Sequence, residues 1–118
     1  MKKIKLIVVD DSEEFINNVK ESYFDDETVE IIATAKDGIE AISKIENFCP
    51  DVVILDIVMP EVDGFGVLAN LNYSKMTKKP NFIVVSQLTG DNFINKAISL
   101  GASYYLVKPV NMAMLKDR

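Results

Sequence analysis

Four apolar runs in this chain each end on a residue able to handle a phosphoryl group. Ile7-Val8-Val9 leads into Asp10-Asp11, and Val52-Val53-Ile54-Leu55 leads into Asp56. Phe82-Ile83-Val84-Val85 leads into Ser86, and Tyr105-Leu106-Val107 leads into Lys108 followed by Pro109. Carboxylates held close together repel, so one of them protonates unless a cation intervenes. The chain has no His, and no Arg lies near these positions. A metal bound here is therefore a hard, oxygen-liganded cation, with Mg2+ the natural choice and Mn2+ or Ca2+ as substitutes. An aspartate carboxylate is also a nucleophile toward phosphorus, giving an aspartyl phosphate. Phosphoryl transfer needs in-line positioning and neutralised equatorial oxygens. Lys108 offers an ammonium for one oxygen and Ser86 a hydroxyl for another.

Taken singly, each residue has an ordinary explanation. Asp11 or Ser12 can cap a helix. A lone Lys108 reads as a solvated lysine, a lone Ser86 as a strand-end residue, and Tyr105 as half-buried strand packing. What separates the chemical reading from these is that all of them fall at strand ends of one fold, in this order.

The elements that must bring them together alternate between short apolar runs and longer amphipathic stretches, which predicts βα units around a parallel sheet. Strands are expected at Ile4–Val9, Val29–Ala33, Val52–Leu55, Phe82–Val85 and Ser103–Val107. Glu30 in the second run points to an edge strand. The wholly apolar third run fits a central strand covered on both faces.

Helices are expected at about Ser12–Phe24 (Phe15, Val19 and Tyr23 on one face) and Gly38–Asn47 (capped by Asp37, with Ile42 and Ile45 inward). A third is expected from Asp63-Gly64 to Asn72, with Phe65, Leu68 and Leu71 inward. A fourth spans Gly90–Leu100, with Phe93, Ala97 and Leu100 at helical spacing and Gly101 as its C-cap. Ser74–Lys79 reads as a polar, Lys-rich connection. Asn111 is positioned to cap a final helix that stops at Arg118 after about two turns, which predicts a truncated helix and a fragment of a longer protein.

The predicted architecture is α/β: a three-layer, doubly wound, five-stranded parallel sheet of order 2-1-3-4-5. Ligands in such sheets bind outside the carboxyl ends of the strands, at the switch point between strands 1 and 3. Asp10-Asp11 and Asp56 end those two strands.

Bulk properties set outer limits. A chain of 118 residues suffices for one domain. The net charge of -5 argues against a nucleic-acid surface on this segment. Cys49 is the single cysteine, so no internal disulfide forms and a reducing cytosol fits best. The charge at Lys5 and the acidic pair Asp10-Asp11 cut the first apolar run too short for a signal peptide, and no run approaches membrane-spanning length.

Together these motifs resemble the receiver domain of bacterial two-component response regulators. Val8-Val9-Asp10-Asp11-Ser12 resembles the family's acidic pair. Asp56 through Gly64 matches its D-x-x-M-P-x-x-D-G phosphoacceptor signature. Gly101 through Pro109 matches its last block. The wording around Pro80-Asn81, Leu100–Pro109 and Asn111-Met112 is similar to that of master sporulation regulators of spore-forming Gram-positive bacteria.

The resemblance implies a role at each position. Asp56 accepts the phosphoryl group from a phosphohistidine on a histidine kinase or histidine phosphotransfer protein. Asp11 binds Mg2+ directly, Asp10 mainly through water, and Val58 through its backbone carbonyl. Lys108, joined to Pro109 by a cis peptide, pairs with a phosphoryl oxygen. Ser86 is the switch hydroxyl and Tyr105 the switch aromatic. The face made by helix 4, strand 5 and helix 5 changes on phosphorylation, giving a receiver homodimer. Output then comes from an attached DNA-binding domain that controls transcription, here of sporulation genes, in the cytoplasm.

Some positions depart from the pattern or qualify it. Gln87 stands where the family has a small residue, and Ser86 replaces the commoner Thr. Val58 and Leu88 flank the site and offer no side-chain hydrogen bond to orient a hydrolytic water, which predicts slow self-dephosphorylation.

Three other readings compete. An aspartate-nucleophile phosphatase of the haloacid dehalogenase type wants a second Asp where Val58 stands, and valine transfers no proton. A receiver-like module that no longer takes phosphate would have lost an acidic residue or the lysine, and all are present. A stand-alone receiver that only relays phosphate shares every residue named so far. The expected chain is thus a phosphoacceptor signalling domain and not an enzyme in the ordinary sense.

Overall fold

The computed structural model describes residues 3–110, leaving aside the side chain of Lys75. The expected final helix at Asn111 lies outside the described residues. Five parallel strands form one sheet in the order β2-β1-β3-β4-β5. In chain order the elements are β1 (Ile4–Val9), α1 (Glu13–Tyr23), β2 (Val29–Ala35), α2 (Gly38–Phe48), β3 (Val52–Leu55), α3 (Gly64–Asn70), β4 (Asn81–Ser86), α4 (Asp91–Ser99) and β5 (Ala102–Val107). A short 3-10 turn, Tyr73–Lys75, interrupts the Lys-rich connection before β4.

Strand alternation splits the core into two layers. Ile7, Val9, Val53, Leu55, Phe82 and Val84 face one way, packing with Ala41 and Ile45 of α2, Val67 and Leu68 of α3 and Ala97 of α4. Leu6, Val8, Ile54, Ile83 and Val85 face the other way and pack with Phe15, Ile16 and Val19 of α1. Both faces of β3 are thereby covered, which is why its sequence is apolar without alternation.

Helix starts are fixed by side-chain caps. Ser12 accepts from the Phe15 N–H, Asp37 from the Glu40 N–H and Asp63 from the Gly66 N–H. Each satisfies a backbone donor that the helix leaves unpaired. α2 ends with Cys49 in the left-handed region at φ 47°, so the lone cysteine is a helix-terminating residue. Gly101, at φ 114°, follows α4 and turns the chain into β5, a conformation that costs glycine little.

Several boundaries differ from expectation. β2 runs on through Thr34 and Ala35, because a register shift between Leu6 and Ile7 keeps these residues paired with Val8 and Val9. α3 stops at Asn70, two residues early. Leu71 leaves the helix at ψ 137° yet stays buried, so the core anchors it in extended backbone. Phe93 is 37% exposed and sits at the rim of its helix face, whereas Ala97 is buried.

Candidate functional site

β1, β3, β4 and β5 all deliver their ends to the same rim. Asp10 follows β1, and its N–H bonds the Ala35 carbonyl at 3.0 Å, while the Asp56 N–H bonds the Val9 carbonyl at 2.9 Å. The sheet ladder therefore continues one step past the strands and holds both aspartates by their backbone. The Lys108 N–H likewise bonds the Ser86 carbonyl at 2.8 Å. The Lys108–Pro109 peptide is cis.

Asp10, Asp56 and Ser86 are the polar residues buried in the described structure, and Asp11 is exposed. One carboxylate oxygen from each of Asp10, Asp11 and Asp56 lies within 4.8 Å of the other two. Lys108 reaches in between: its Nζ donates to Asp10 Oδ2 at 2.7 Å and lies 3.5 Å from Asp56 Oδ2. The second Asp10 oxygen accepts from the Ser12 N–H at 2.8 Å, and the second Asp56 oxygen accepts from the Ile57 N–H at 2.7 Å. Each carboxylate is thus held at one oxygen and turned toward the lysine with the other. Burial and the neighbouring Asp10 charge push the Asp56 carboxyl above the usual range, against the pull of Lys108 and the Ile57 N–H.

An open cleft of about 580 Å³ lies over this cluster, with Asp11, Phe15, Asp56, Val58, Gln87 and Lys108 on its walls. Val58 is 57% exposed, so its side chain faces solvent at the mouth. Gln87 is exposed beside it. Below the rim, the Leu88 N–H donates to Ser86 Oγ at 3.2 Å, and the Tyr105 hydroxyl donates to the Leu88 carbonyl at 2.8 Å. Burial raises the Tyr105 hydroxyl pKa, so it remains a donor.

Of the residues expected to act, Asp11, Asp56, Val58 and Lys108 line this cleft, Asp10 is buried against Lys108, and Ser86 and Tyr105 both contact the Leu88 backbone. The fit to a hard divalent cation follows from the donors: three carboxylates face one ammonium, and the surplus negative charge sits on oxygen ligands.

Two contributions escaped sequence reasoning. Gly64 lets α3 start against the Asp56 strand end, since a Cβ there would lie 2.7 Å from Ile57 Cα and overlap the Asp56 carbonyl. Its place in the phosphoacceptor signature was the available signal. Phe15, expected only as a core residue of α1, lies with its ring centroid 4.6 Å from Lys108 Nζ. No sequence signal separates that from ordinary packing.

Comparison with known proteins assigns the chain to a family. The pattern of the response regulator receiver domain matches residues 6–118. This chain belongs to that receiver domain family. Among solved structures, a chain of the CheX–CheY–BeF3–Mg2+ complex from Borrelia burgdorferi is 31% identical, with TM-score 0.86, over 97% of this chain and 84% of that one. The response regulator domain of Thermotoga maritima CheB is 31% identical, with TM-score 0.81, over 94% and 82%. A DNA-binding response regulator of the LuxR family from Staphylococcus aureus is 26% identical, with TM-score 0.85, over 97% and 93%. Receiver domains bind Mg2+ at an acidic pocket, and the acidic cluster of this receiver is Asp10, Asp11 and Asp56. No helix among the described residues is long and apolar enough to cross a membrane.

Proposed function

We propose that this receiver accepts a phosphoryl group on Asp56 from the phosphohistidine of a histidine kinase or histidine phosphotransfer protein. The carrying observation is the buried Asp56, pinned at one oxygen and open to a cleft at the other, between two further carboxylates and an ammonium. The Asp56 oxygen forms a bond to phosphorus while the phosphorus–nitrogen bond of the donor breaks, its electron pair leaving with the imidazole. Lys108, already within reach of Asp56, pairs with a phosphoryl oxygen. Asp10, Asp11, Asp56 and the Val58 carbonyl are the groups that would hold Mg2+. When bound, the cation neutralises the carboxylates and the transferring oxygens.

Ser86 and Tyr105 make the switch, and the Leu88 backbone joins them. Ser86 Oγ holds the Leu88 N–H, and Tyr105 holds the Leu88 carbonyl. A Ser86 hydroxyl drawn toward a phosphoryl oxygen loosens the first contact and shifts the peptide that Tyr105 grips. The α4–β5 face then favours a partner that prefers its altered shape, here a second receiver.

Residues 1–118 form the receiver of a longer regulator with a C-terminal DNA-binding domain, acting in the cytoplasm on transcription of sporulation genes. The DNA-binding description of the Staphylococcus aureus relative supports the output, and the sporulation-type wording of Leu100–Pro109 supports the genes.

The test is phosphotransfer from a purified, histidine-phosphorylated donor to wild type and Asp56→Ala, followed by sedimentation of the product. Transfer to wild type alone, with a shift to dimer, is expected. Equal labelling of the variant would overturn the assignment of Asp56, and transfer without dimerisation would leave a relay receiver.

A further inference from the structure

The Lys108 ammonium is the one cation facing the acidic cluster among the described residues, and it has three N–H donors to place. One goes to Asp10 at 2.7 Å and one is directed to Asp56 at 3.5 Å. On another side lies the Phe15 ring, 4.6 Å from Nζ to centroid. The lysine side chain is 16% exposed, so little water remains to compete for the charge.

Phe15 is itself fixed. It is 9% exposed, packs in the apolar layer with Ile16, Val19 and Ile54, and donates its N–H to the Ser12 cap. A ring face attracts a cation through its quadrupole and has no lone pair directed at an N–H. It therefore holds the ammonium without taking a donor away from the two carboxylates.

We infer that Phe15 is a positioning residue for Lys108, its ring face holding the ammonium where it serves Asp10 and Asp56 together. The consequence for transfer rests on the phosphoacceptor reading above. The hold on the lysine does not.

The alternative is that Phe15 only fills the core. Size and charge attraction separate cleanly in a fluorinated series, because fluorine drains the ring face and changes its volume little. Phenylalanine 15 is replaced by its 4-fluoro, 3,5-difluoro and 3,4,5-trifluoro forms in the otherwise native chain. Phosphorylation of Asp56 by acetyl phosphate with saturating Mg2+ is timed by intact mass, and melting temperature is recorded alongside. In metal-free protein, NMR follows the Lys108 ε-methylene protons, which the ring current shifts upfield.

A rate that falls stepwise with fluorine count, by about threefold or more at trifluoro, with melting unchanged, is the expected result. Phe15→Tyr keeps the rate and Phe15→Leu loses it. A flat rate across the series, at unchanged melting, overturns the inference. If wild type takes no phosphate from acetyl phosphate or from a phosphohistidine donor, the phosphoacceptor reading fails and the Lys108 protons decide alone. An upfield shift lost in Phe15→Leu then sustains the hold, and a random-coil position in wild type removes it.

Discussion

Replacing Asp56 by Asn should stabilise the metal-free protein at neutral pH. Carboxylate oxygens of Asp10 and Asp56 lie within 4.8 Å, which at an effective dielectric of 20 is a repulsion of about 3.5 kcal/mol or more. Asp11 adds a screened fraction of the same size, because it is exposed. Lys108, 3.5 Å from Asp56, returns about 5 kcal/mol of attraction. These contributions nearly cancel, so the cost of burying the Asp56 charge decides the sign. The carboxyl pKa is accordingly raised in the fold.

A group with a raised folded pKa binds more protons folded than unfolded. Its favourable contribution is present below the unfolded value of about 3.9 and is lost as pH rises through the folded value. At pH 7 wild type has lost it, and Asp56→Asn should gain about 1–2 kcal/mol, or about 4–8 °C in Tm. At pH 3.5 the gain should shrink toward zero. Saturating Mg2+ should raise wild type selectively, through preferential binding to the folded state. Thermal unfolding followed by circular dichroism, in chelator and in Mg2+, measures all three. A variant no more stable than wild type at pH 7 in chelator, or a gain that persists undiminished at pH 3.5, would refute the reasoning.

Other variants test neighbouring parts of the site. Lys108→Met strips the counter-charge from a fully buried Asp10 and should cost about 3 kcal/mol in metal-free denaturant unfolding; an unchanged midpoint would contradict the pairing. Gly64→Ala pushes a methyl into the Asp56–Ile57 backbone and should cost about 2–3 kcal/mol while slowing phosphorylation, whereas normal kinetics would mean the helix start does not set the Asp56 position. Val58→Asn and Leu88→Gln place an amide on the cleft wall and should speed loss of the phosphoryl group about five- to tenfold, timed by decay of the adduct. Unchanged lifetimes in both would mean that water orientation is not what limits hydrolysis.

Much of this architecture is legible in local sequence, because local rules govern it. Apolar runs of strand length, the caps Ser12, Asp37 and Asp63, and right-handed crossovers leave few ways to arrange five strands. Once the order is fixed, Asp10, Asp56, Ser86 and Lys108 must share a rim.

What stayed hidden depends on contacts between distant segments. The extension of β2 through Ala35 comes from a register shift opposite Leu6 and Ile7. Leu71 keeps its burial outside the helix because tertiary packing overrides the helical pattern. The closer approach of Lys108 to Asp10 than to Asp56, the Leu88 carbonyl beneath the Tyr105 hydroxyl, and the Phe15 ring beside the lysine are all side-chain geometry. Residue type and spacing alone do not determine that geometry.

Every other role proposed at this site depends on Asp56 being the phosphoacceptor. The most direct measurement is intact and peptide mass analysis of wild type and Asp56→Ala after incubation with acetyl phosphate, with and without Mg2+. One phosphate on wild type, located at Asp56, dependent on Mg2+ and absent from the variant, is the predicted result. Wild type that stays unmodified with acetyl phosphate and also with a phosphohistidine donor would contradict the account, as would an adduct that survives in Asp56→Ala.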